Sequence, residues 1–369
     1  MLNQATAAVA RIPGGEFTIE TVSVDDPRAH EILIDIAGVG LCHTDLVFSA
    51  KLQIMKPPAV LGHEGSGIVA KVGSAVTKVK PGDHVVLTFN SCGDCPRCNG
   101  GEPAYCFSFP KLNYAGGRLD GSPTITIGDE RASANFFGQS SFATRALAHE
   151  RNVIKVDRDV PIELLGPLGC GVQTGAGAIM RSLACRKGSS LLVLGGGAVG
   201  LSAVLGAVVR ECATIIVVEP KQARRELALQ LGATHVIDPS GIDLPAAVRA
   251  ITPTGVDYAF DSSGLKQVIA AAIGCLASHA KFGLVGVPPS MEDAISIPIT
   301  ALVGGGFSFI GIMEGDSEPE EFIPQMVALY KAGRFPFDKL LSTYALHDIN
   351  LAIADSLSGK CVKPVMLTA

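Results

Sequence analysis

The sequence lacks any excess of positive charge. Its 369 residues include 30 Lys and Arg against 35 Asp and Glu, which gives a formal net charge of −5. This balance provides no electrostatic reason to bind nucleic acid or an anionic membrane surface. We therefore expect a small-molecule partner, and neither a nucleic acid nor a membrane.

The sequence also lacks the patterns that direct a chain into or across a membrane. Residues 1–17 contain no basic segment followed by a long apolar stretch, so we expect no secretory signal. Residues 189–209 are uncharged and apolar over about the length of a membrane span, but four glycines between 195 and 200 interrupt them near their start. A buried strand, a glycine turn and a buried helix fit this segment better, and we expect a cytoplasmic protein.

The chain is long and hydrophobic enough to form two domains. Short β-branched runs such as Ile68–Val72 and His84–Leu87 predict a β-rich first part. From about residue 172, apolar strands alternate with helical stretches, a pattern typical of a doubly wound parallel sheet covered on both faces. The predicted elements are strands at 191–194, 215–218, 256–260 and 282–287 and helices at 221–231 and 266–277. The expected fold class is therefore α/β with a β-rich domain.

Four cysteines are spaced C-x2-C-x2-C-x7-C in a Gly/Pro-rich stretch, at Cys92, Cys95, Cys98 and Cys106. Four thiolates can close a tetrahedral zinc shell, and a loop without a core of its own gains order from such a metal. Four free thiols on an exposed lobe would instead be an oxidation hazard. The spacing predicts a structural zinc site but indicates nothing about catalysis.

A second set of residues suggests a catalytic metal. Cys42 is followed about twenty residues later by His63, and two cysteines with one histidine is a known ligand set for catalytic zinc. Cys170, at the junction with the second half of the chain, is the best candidate for the third ligand. Considered alone, a Cys-His pair is more often structural, and His63 could simply donate to a backbone carbonyl. The remaining cysteines are interpreted as buried structural thiols: Cys185, Cys212, Cys275 and Cys361.

A glycine motif follows the first strand of the alternating half. Gly195, Gly197 and Gly200 fit G-x-G-x-x-G, which permits a tight turn and close approach of a pyrophosphate to a helix N-terminus. Glu219 ends the next strand, where it can accept hydrogen bonds from the adenosine ribose and repel a 2′-phosphate. This pattern favours NAD over NADP.

Together these motifs resemble the zinc-containing medium-chain alcohol dehydrogenases over essentially the whole chain. The matching segments are 40–45, 61–67, the four-cysteine stretch and 166–175, and the last is most similar to the aryl-alcohol (benzyl alcohol) branch. The resemblance implies a GroES-like catalytic domain at 1–171, completed by 312–369, and a Rossmann domain at 172–311. Polyol dehydrogenases of the family usually have a glutamate as the third zinc ligand, so Cys170 favours the alcohol branch.

The resemblance also implies roles for individual residues. Cys42, His63 and Cys170 would bind the catalytic zinc, the first of two zinc ions per chain. Thr44 would hydrogen-bond the substrate oxygen, and Asp45 would support a zinc ligand. Glu64 would approach the metal during ligand exchange. The implied cofactor contacts are Thr174 and Val199 at the nicotinamide and His43 and Lys363 at the pyrophosphate.

The implied activity is reversible oxidation of an aromatic primary alcohol, such as benzyl alcohol, to its aldehyde by hydride transfer to NAD. The family resemblance further implies a homo-oligomer, a tetramer in preference to a dimer, formed through the edge of the Rossmann sheet. Two positions depart from the family pattern. Val47 replaces a proton-relay histidine found in many relatives, and His43 stands where arginine is frequent.

Other functions are compatible with parts of this pattern. A general primary alcohol dehydrogenase would share the ligand set, a glutathione-dependent formaldehyde dehydrogenase should require glutathione, and a zinc-free quinone reductase should contain one zinc or none. A nucleotide-binding structural or regulatory protein is the alternative without catalysis. The combined presence of Cys42, His63 and Cys170 argues against that last possibility.

Overall fold

The structure, a computed structural model, describes residues 3–51, 55–290 and 292–368. It divides into two compact units. Unit 1 comprises residues 1–171, 318–331 and 338–369, and unit 2 comprises 172–317 and 332–337. No helix in the described ranges is long and apolar enough to cross a membrane.

The strands of the described chain are β1 Asn3–Ala10, β2 Phe17–Val24, β3 Glu31–Gly40, β4 Ala59–Val60, β5 Gly65–Val72, β6 His84–Leu87, β7 Ile125–Ile127, β8 Glu130–Arg131, β9 Arg145–His149, β10 Val153–Val156, β11 Ser190–Leu194, β12 Thr214–Val218, β13 His235–Ile237, β14 Val256–Asp261, β15 Leu276–Leu284, β16 Ser308–Gly311, β17 Leu341–Ala345 and β18 Lys363–Leu367. Its α-helices are α1 His43–Ala50, α2 Pro96–Asn99, α3 Phe109–Tyr114, α4 Gly171–Gly177, α5 Ala198–Val209, α6 Gln222–Gln230, α7 Leu244–Ile251, α8 Lys266–Ile273, α9 Ile299–Gly305, α10 Pro319–Lys331 and α11 Ile349–Ser358.

Unit 1 contains two sheets built mainly from antiparallel pairs. One has the strand order β4-β1-β2-β7-β8, and the other has β10-β6-β5-β3-β18-β17 with β9 also paired to β3. Strand β3 is central because it pairs with β5, β9 and β18. The C-terminal strand β18 therefore completes the sheet that leads into Cys42.

Unit 2 contains one parallel sheet, with the order β13-β12-β11-β14-β15-β16. Its strands are buried apolar runs, as in β11 and β12, because helices cover both faces of such a sheet. The strand order reverses between β11 and β14, which is the arrangement of a dinucleotide-binding fold. The predicted α/β class, with a doubly wound parallel sheet and a β-rich domain, is confirmed.

Two predicted elements in the alternating half have wrong boundaries. The predicted helix at 266–277 ends at Ile273, and the strand predicted at 282–287 runs from Leu276 to Leu284. Gly274 caps the helix, and Cys275 and Leu276 are buried at the start of the strand. An apolar, alanine-rich segment is compatible with the hydrophobic pattern of a helix and with that of a buried strand. Its pattern therefore does not show where the helix ends and the strand begins.

The predicted return of the chain to the first domain at residue 312 also needs correction. The structure divides at 171/172, but residues 312–317 and 332–337 belong to unit 2. The first of these segments packs on α4: a Cβ on Gly177 would lie 2.5 Å from the Gly315 oxygen. Phe335 and Phe337 are fully buried in the second segment. Neither contact is visible in the local sequence pattern.

Candidate active site and metal centres

Cys42 lies where the chain leaves β3 and enters α1. Its backbone N–H donates to Asp45 Oδ2 at 2.9 Å, and the Asp45 N–H donates to the Cys42 carbonyl at 3.1 Å. A carboxylate at the third position of a helix closes its first turn in this way. This turn fixes the backbone that carries the Cys42 thiol.

The same carboxylate orients His63. Asp45 Oδ1 lies 2.9 Å from His63 Nδ1 and accepts a hydrogen bond from the Gly62 N–H at 3.0 Å. Both side chains are fully buried. With Nδ1 held by a carboxylate, Nε2 is free to act as a metal ligand. His63 Nε2 is indeed buried without a hydrogen-bond partner in the described structure, which is costly unless a metal occupies it.

Ligand atoms of Cys42, His63, Glu64 and Cys170 all lie within 4.8 Å of one another. The structure thus brings the three predicted zinc ligands together within unit 1 and adds the Glu64 carboxylate beside them. Thiolate, imidazole and carboxylate are the donors that zinc prefers. The set fits a catalytic zinc ion, with three ligands from Cys42, His63 and Cys170.

Electrostatic interactions favour the ligating form of the cysteine. The neighbouring Cys170 is the main cause that lowers the pKa of the Cys42 thiol well below its usual value, and His63 also contributes. Burial works against the charged imidazole of His63, but Asp45 and Cys42 together outweigh it, so the pKa of His63 is raised. The site therefore stabilises a thiolate before any metal is considered.

Glu64 is held by a buried ion pair. Lys363 Nζ donates to Glu64 Oε1 at 2.6 Å and to the Leu41 carbonyl at 3.0 Å, and the Gly171 N–H donates to the same carboxylate oxygen at 3.0 Å. Burial opposes the charge of Lys363, but Glu64 outweighs it and raises the pKa of the lysine. The predicted contact of Lys363 with a cofactor is not tested by this geometry, which places its ammonium group against the metal-site carboxylate.

The remaining predicted residues of this segment lie on α1. Thr44 Oγ1 is 3.6 Å from Cys42 Sγ, so its hydroxyl is adjacent to the ligand set. His43 is exposed, and Val47 is partly buried. The position expected for a proton relay therefore holds no titratable side chain.

Aromatic rings surround His63. Its imidazole stacks on Phe137 with ring centroids 4.4 Å apart and meets the edge of Phe136 at 5.4 Å. Phe48 and Tyr114 extend this group, at 4.8 Å and 6.2 Å from Phe136. Phe89, Phe109, Phe136 and Phe137 are buried, whereas Phe107 is 69% exposed.

The loop that carries these rings was not predicted. Asn135, Phe137 and Ser140 have φ values of 62°, 51° and 59°, which non-glycine residues rarely adopt. Gln139 holds the loop beside the metal ligand: its Nε2 donates to the His63 carbonyl at 2.9 Å, and its Oε1 accepts from the Gly65 N–H at 3.1 Å. A single glutamine in a polar segment leaves no sequence signal for this role.

The four-cysteine stretch forms a second compact cluster. The Sγ atoms of Cys92 and Cys95 lie 3.9 Å and 3.6 Å from that of Cys98. Four sulfurs at about 2.3 Å from a tetrahedral zinc would be separated by roughly 3.8 Å. The Cys92 N–H donates to Cys106 Sγ at 3.3 Å. Backbone N–H groups, first that of Cys98, lower the pKa of Cys95 to about 6. This geometry fits a structural zinc ion.

In unit 2, the glycine motif forms the turn between β11 and α5. Gly195 has a φ of 99°, and a Cβ on Gly200 would lie 1.9 Å from the Gly195 oxygen, so both positions require glycine. A Cβ on Gly197 would meet nothing within 4 Å, which leaves the start of α5 open to a ligand. These features fit a pyrophosphate at the helix N-terminus.

Glu219 lies at the end of β12 beside this turn. Its Oε2 accepts from the Gly196 N–H at 2.8 Å, and its Oε1 accepts from the Lys221 N–H at 2.8 Å. Arg225 donates to the carbonyls of Glu219 and Pro220 and pairs with Asp238 at 3.0 Å. The carboxylate predicted to bind ribose is therefore fixed next to the glycine turn.

Helix α4 packs closely on α5. A Cβ on Gly175 would lie 2.0 Å from the Val199 oxygen. The two residues predicted to contact the nicotinamide, Thr174 and Val199, are thus on neighbouring segments of unit 2.

Two protein families match successive parts of the chain. The family described as "Alcohol dehydrogenase GroES-like domain" matches residues 28–158, and "Zinc-binding dehydrogenase" matches 198–332. The chain is 46% identical to geraniol dehydrogenase of Castellaniella defragrans over 365 residues, 98% of this chain and 97% of the relative.

Two solved structures are similar over the full length of both chains. The alcohol dehydrogenase zinc-binding domain protein of Burkholderia ambifaria is 47% identical with a TM-score of 0.98. Benzyl alcohol dehydrogenase of Acinetobacter calcoaceticus is 42% identical with a TM-score of 0.96.

Proposed function

This chain belongs to the zinc-dependent medium-chain alcohol dehydrogenase family, and on that premise we propose that it oxidises an aromatic primary alcohol, such as benzyl alcohol, reversibly to its aldehyde with NAD. The observation that carries the proposal is the clustered ligand set of Cys42, His63 and Cys170, with an unpartnered His63 Nε2. We further propose two zinc ions per chain, one at this set and one at the four-cysteine cluster, in a cytoplasmic protein.

Zinc bound at the ligand set would supply a Lewis acid that makes the alcohol proton easier to remove near neutral pH. The protein's own contribution is to hold the reacting groups in position. Asp45 keeps the His63 ring oriented, and Thr44 Oγ1 lies beside Cys42, where it can accept the alcohol proton. Since Val47 has no titratable group, we propose that this proton then leaves through water or another group.

The aromatic group around His63 supports the aromatic substrate. Phe136 and Phe137 line the imidazole, and Phe48 and Tyr114 continue the apolar surface. Apolar rings bind a phenyl group by burial and by offset or edge-to-face contact. The benzyl alcohol dehydrogenase of Acinetobacter calcoaceticus shares 42% of its sequence with this chain.

A second substrate class is favoured by one specific observation, the 46% identity with a geraniol dehydrogenase. Benzyl alcohol and geraniol are both primary alcohols whose hydroxyl-bearing carbon adjoins an unsaturated carbon. Loss of the hydroxyl proton and of a hydride from the carbon gives a conjugated aldehyde in both cases. An allylic terpene alcohol is therefore the alternative to the aromatic substrate.

We propose NAD as the preferred cofactor. A 2′-phosphate on the adenosine ribose would meet the Glu219 carboxylate, and Arg225, one of the three nearby basic residues that could offset this repulsion, is paired with Asp238.

The function can be tested with purified protein by following NADH absorbance. We expect kcat/KM for benzyl alcohol to exceed that for ethanol by at least roughly 100-fold, since the larger apolar group buries more surface, and activity with NAD to exceed that with NADP. Chelation should abolish turnover and added zinc should restore it. A preference for geraniol would select the allylic alternative, and a preference for ethanol would contradict both.

We also propose a homo-oligomer, with a tetramer favoured, formed through the edge of the unit 2 sheet. Among the described strands, β16 pairs only with β15, and the adjacent α9 exposes Ile299 and Val303 by 78% and 76%. We expect Val303→Glu to reduce the particle mass in sedimentation velocity, because it places a charge within an apolar contact. The matched change Leu357→Glu, at a side chain that is 63% exposed on α11 of unit 1, should leave the mass unchanged. An unaltered mass for the Val303 variant would contradict this interface.

A further inference from the structure

A buried carboxylate in unit 2 lies on an unusual turn. Glu314, Gly315 and Asp316 have consecutive φ values of 51°, 68° and 48°, all in the left-handed region. Two of the three residues are not glycine, and such residues keep this conformation only where the surroundings enforce it. The turn leaves Glu314 only 8% exposed. A constrained backbone that buries an acidic side chain indicates a role for that side chain.

Contacts with α4 enforce the turn. A Cβ on Gly315 would lie 2.5 Å from the Gln173 carbonyl oxygen and 2.9 Å from Gly177 Cα, so only glycine fits there. Ser317 Oγ donates to the Glu314 carbonyl at 2.7 Å and lies 3.1 Å from Gln173 Oε1. The turn is therefore docked against the first turn of α4.

The Glu314 side chain faces two residues of that helix. Gln173 Nε2 donates to Glu314 Oε2 at 3.3 Å, and Thr174 Oγ1 donates to the same oxygen at 3.4 Å. Both distances are slightly longer than the usual range for such bonds, so the two contacts are weak. All three side chains are buried. Two neutral donors thus converge on one oxygen of the Glu314 carboxylate, which has the lone pairs to accept both.

The topology places this carboxylate in one half of the dinucleotide site. The turn comes just after β16, at the edge of the sheet where the parallel strands end. In a doubly wound sheet the dinucleotide lies across this edge, with one half on each side of the strand-order reversal. Glu219, at the end of β12, lies on the adenosine side. Glu314 therefore lies on the nicotinamide side, with β14, β15 and β16.

We propose that Glu314 is a positioning residue for the nicotinamide half of the site, and that its charge favours the oxidised cofactor over the reduced one. It holds Gln173 and Thr174 in place at the start of α4. The oxidised nicotinamide ring is a cation and the reduced ring is neutral, so a nearby carboxylate attracts only the oxidised ring. This inference rests on the proposed NAD-dependent function.

The test compares the dissociation constants of NAD and NADH. Binding of NADH is followed by its own fluorescence, which tryptophan does not obscure because the chain has none, and NAD is measured by displacement of NADH. Glu314→Gln keeps the shape of the side chain but removes its charge. We expect about tenfold weaker NAD binding, with NADH binding changed less than threefold. Equal changes for the two nucleotides, or no change, would overturn the proposed effect of charge.

Two further variants separate charge from contact. Glu314→Asp keeps the charge, so the ratio of the two dissociation constants should stay within threefold of wild type. Thr174→Val removes one hydrogen bond without changing the charge, so both nucleotides should bind more weakly by a similar factor. Unchanged binding by the Thr174 variant would overturn the positioning role, even if Glu314→Gln failed to fold.

A matched control removes a carboxylate elsewhere in unit 2. Glu211 is exposed, pairs with Lys187 and comes just before β12, at the end of the sheet where the parallel strands begin. Glu211→Gln should leave the ratio unchanged, and a shift as large as that of Glu314→Gln would overturn the proposal. Failure of the wild-type protein to bind either nucleotide would refute the proposed function itself. Normal binding by the wild type, with the same ratio of NAD to NADH dissociation constants in Glu314→Gln, would refute only the role of Glu314.

Discussion

Replacing His63 with alanine is expected to reduce kcat/KM by at least about 1,000-fold, because loss of a metal that activates the alcohol removes several kcal/mol of transition-state stabilisation. His63 is the proposed zinc ligand whose Nε2 is buried without a partner and whose Nδ1 is held by Asp45. Zinc content should fall from two ions per chain to one. NADH binding should persist, since the glycine turn and Glu219 belong to unit 2.

Two further variants serve as controls for the His63 substitution. His347→Ala removes an exposed histidine beside Asp348 and should retain both zinc ions and full activity. Asp45→Asn weakens the support of His63 without removing a ligand, so a loss of about 10- to 100-fold in activity or zinc affinity is expected. If folded His63→Ala protein kept two zinc ions and wild-type turnover, the metal site would be assigned wrongly. Zinc is measured by elemental analysis alongside the kinetics.

The two proposed metal sites differ in how far the sequence predicted them. The structural cluster has four ligands within fifteen residues, so its spacing alone carried the prediction. The other set joins Cys42 and His63 to Cys170, more than one hundred residues further on, and the choice of Cys170 needed its position at the junction and the family resemblance. In the structure, the fold of unit 1 brings the ligand atoms of each set close together, which supports both predictions.

The supporting contacts were much less visible in the sequence. Glu64 and Lys363 are 299 residues apart, and they meet because β18 pairs with β3 and thus delivers Lys363 to the metal site. A lysine at the start of a terminal strand has many possible partners, so its buried ion pair cannot be deduced from local pattern. Gln139 and Glu314 are similar cases, because left-handed turns at non-glycine residues depend on tertiary contacts and have no characteristic composition.

The fold class followed from periodicity, but the exact ends of elements did not. The strands of unit 2 were predictable because a parallel sheet buries continuous apolar runs. The segment 312–317 was assigned to the first domain, whereas its contacts with α4 place it in unit 2. The unit to which a short connecting segment belongs depends on its tertiary packing. The local sequence pattern does not reveal that packing.

Replacing Cys98 with serine is expected to release the structural zinc and to unfold the segment around residues 92–106 locally. Cys98 Sγ contacts the thiols of both Cys92 and Cys95, so its loss opens the tetrahedral shell. Helix α2 in this segment has no buried residue, so little apolar packing is available to replace the metal. Zinc bound by cysteine-rich peptides contributes about 10–16 kcal/mol to folding, far more than this segment could otherwise supply.

The core of unit 1 should survive this change, because its sheets bury their own apolar residues, such as Val9, Val22 and Leu33. We therefore expect one remaining zinc ion, at the catalytic set, and rapid tryptic cleavage after the exposed Arg97 before the rest of the chain is digested. Cys212→Ser, at a thiol outside both metal sets, should keep two zinc ions and resist cleavage. Equal zinc content and equal protease resistance in the two variants would show that the four-cysteine cluster is not held together by a metal.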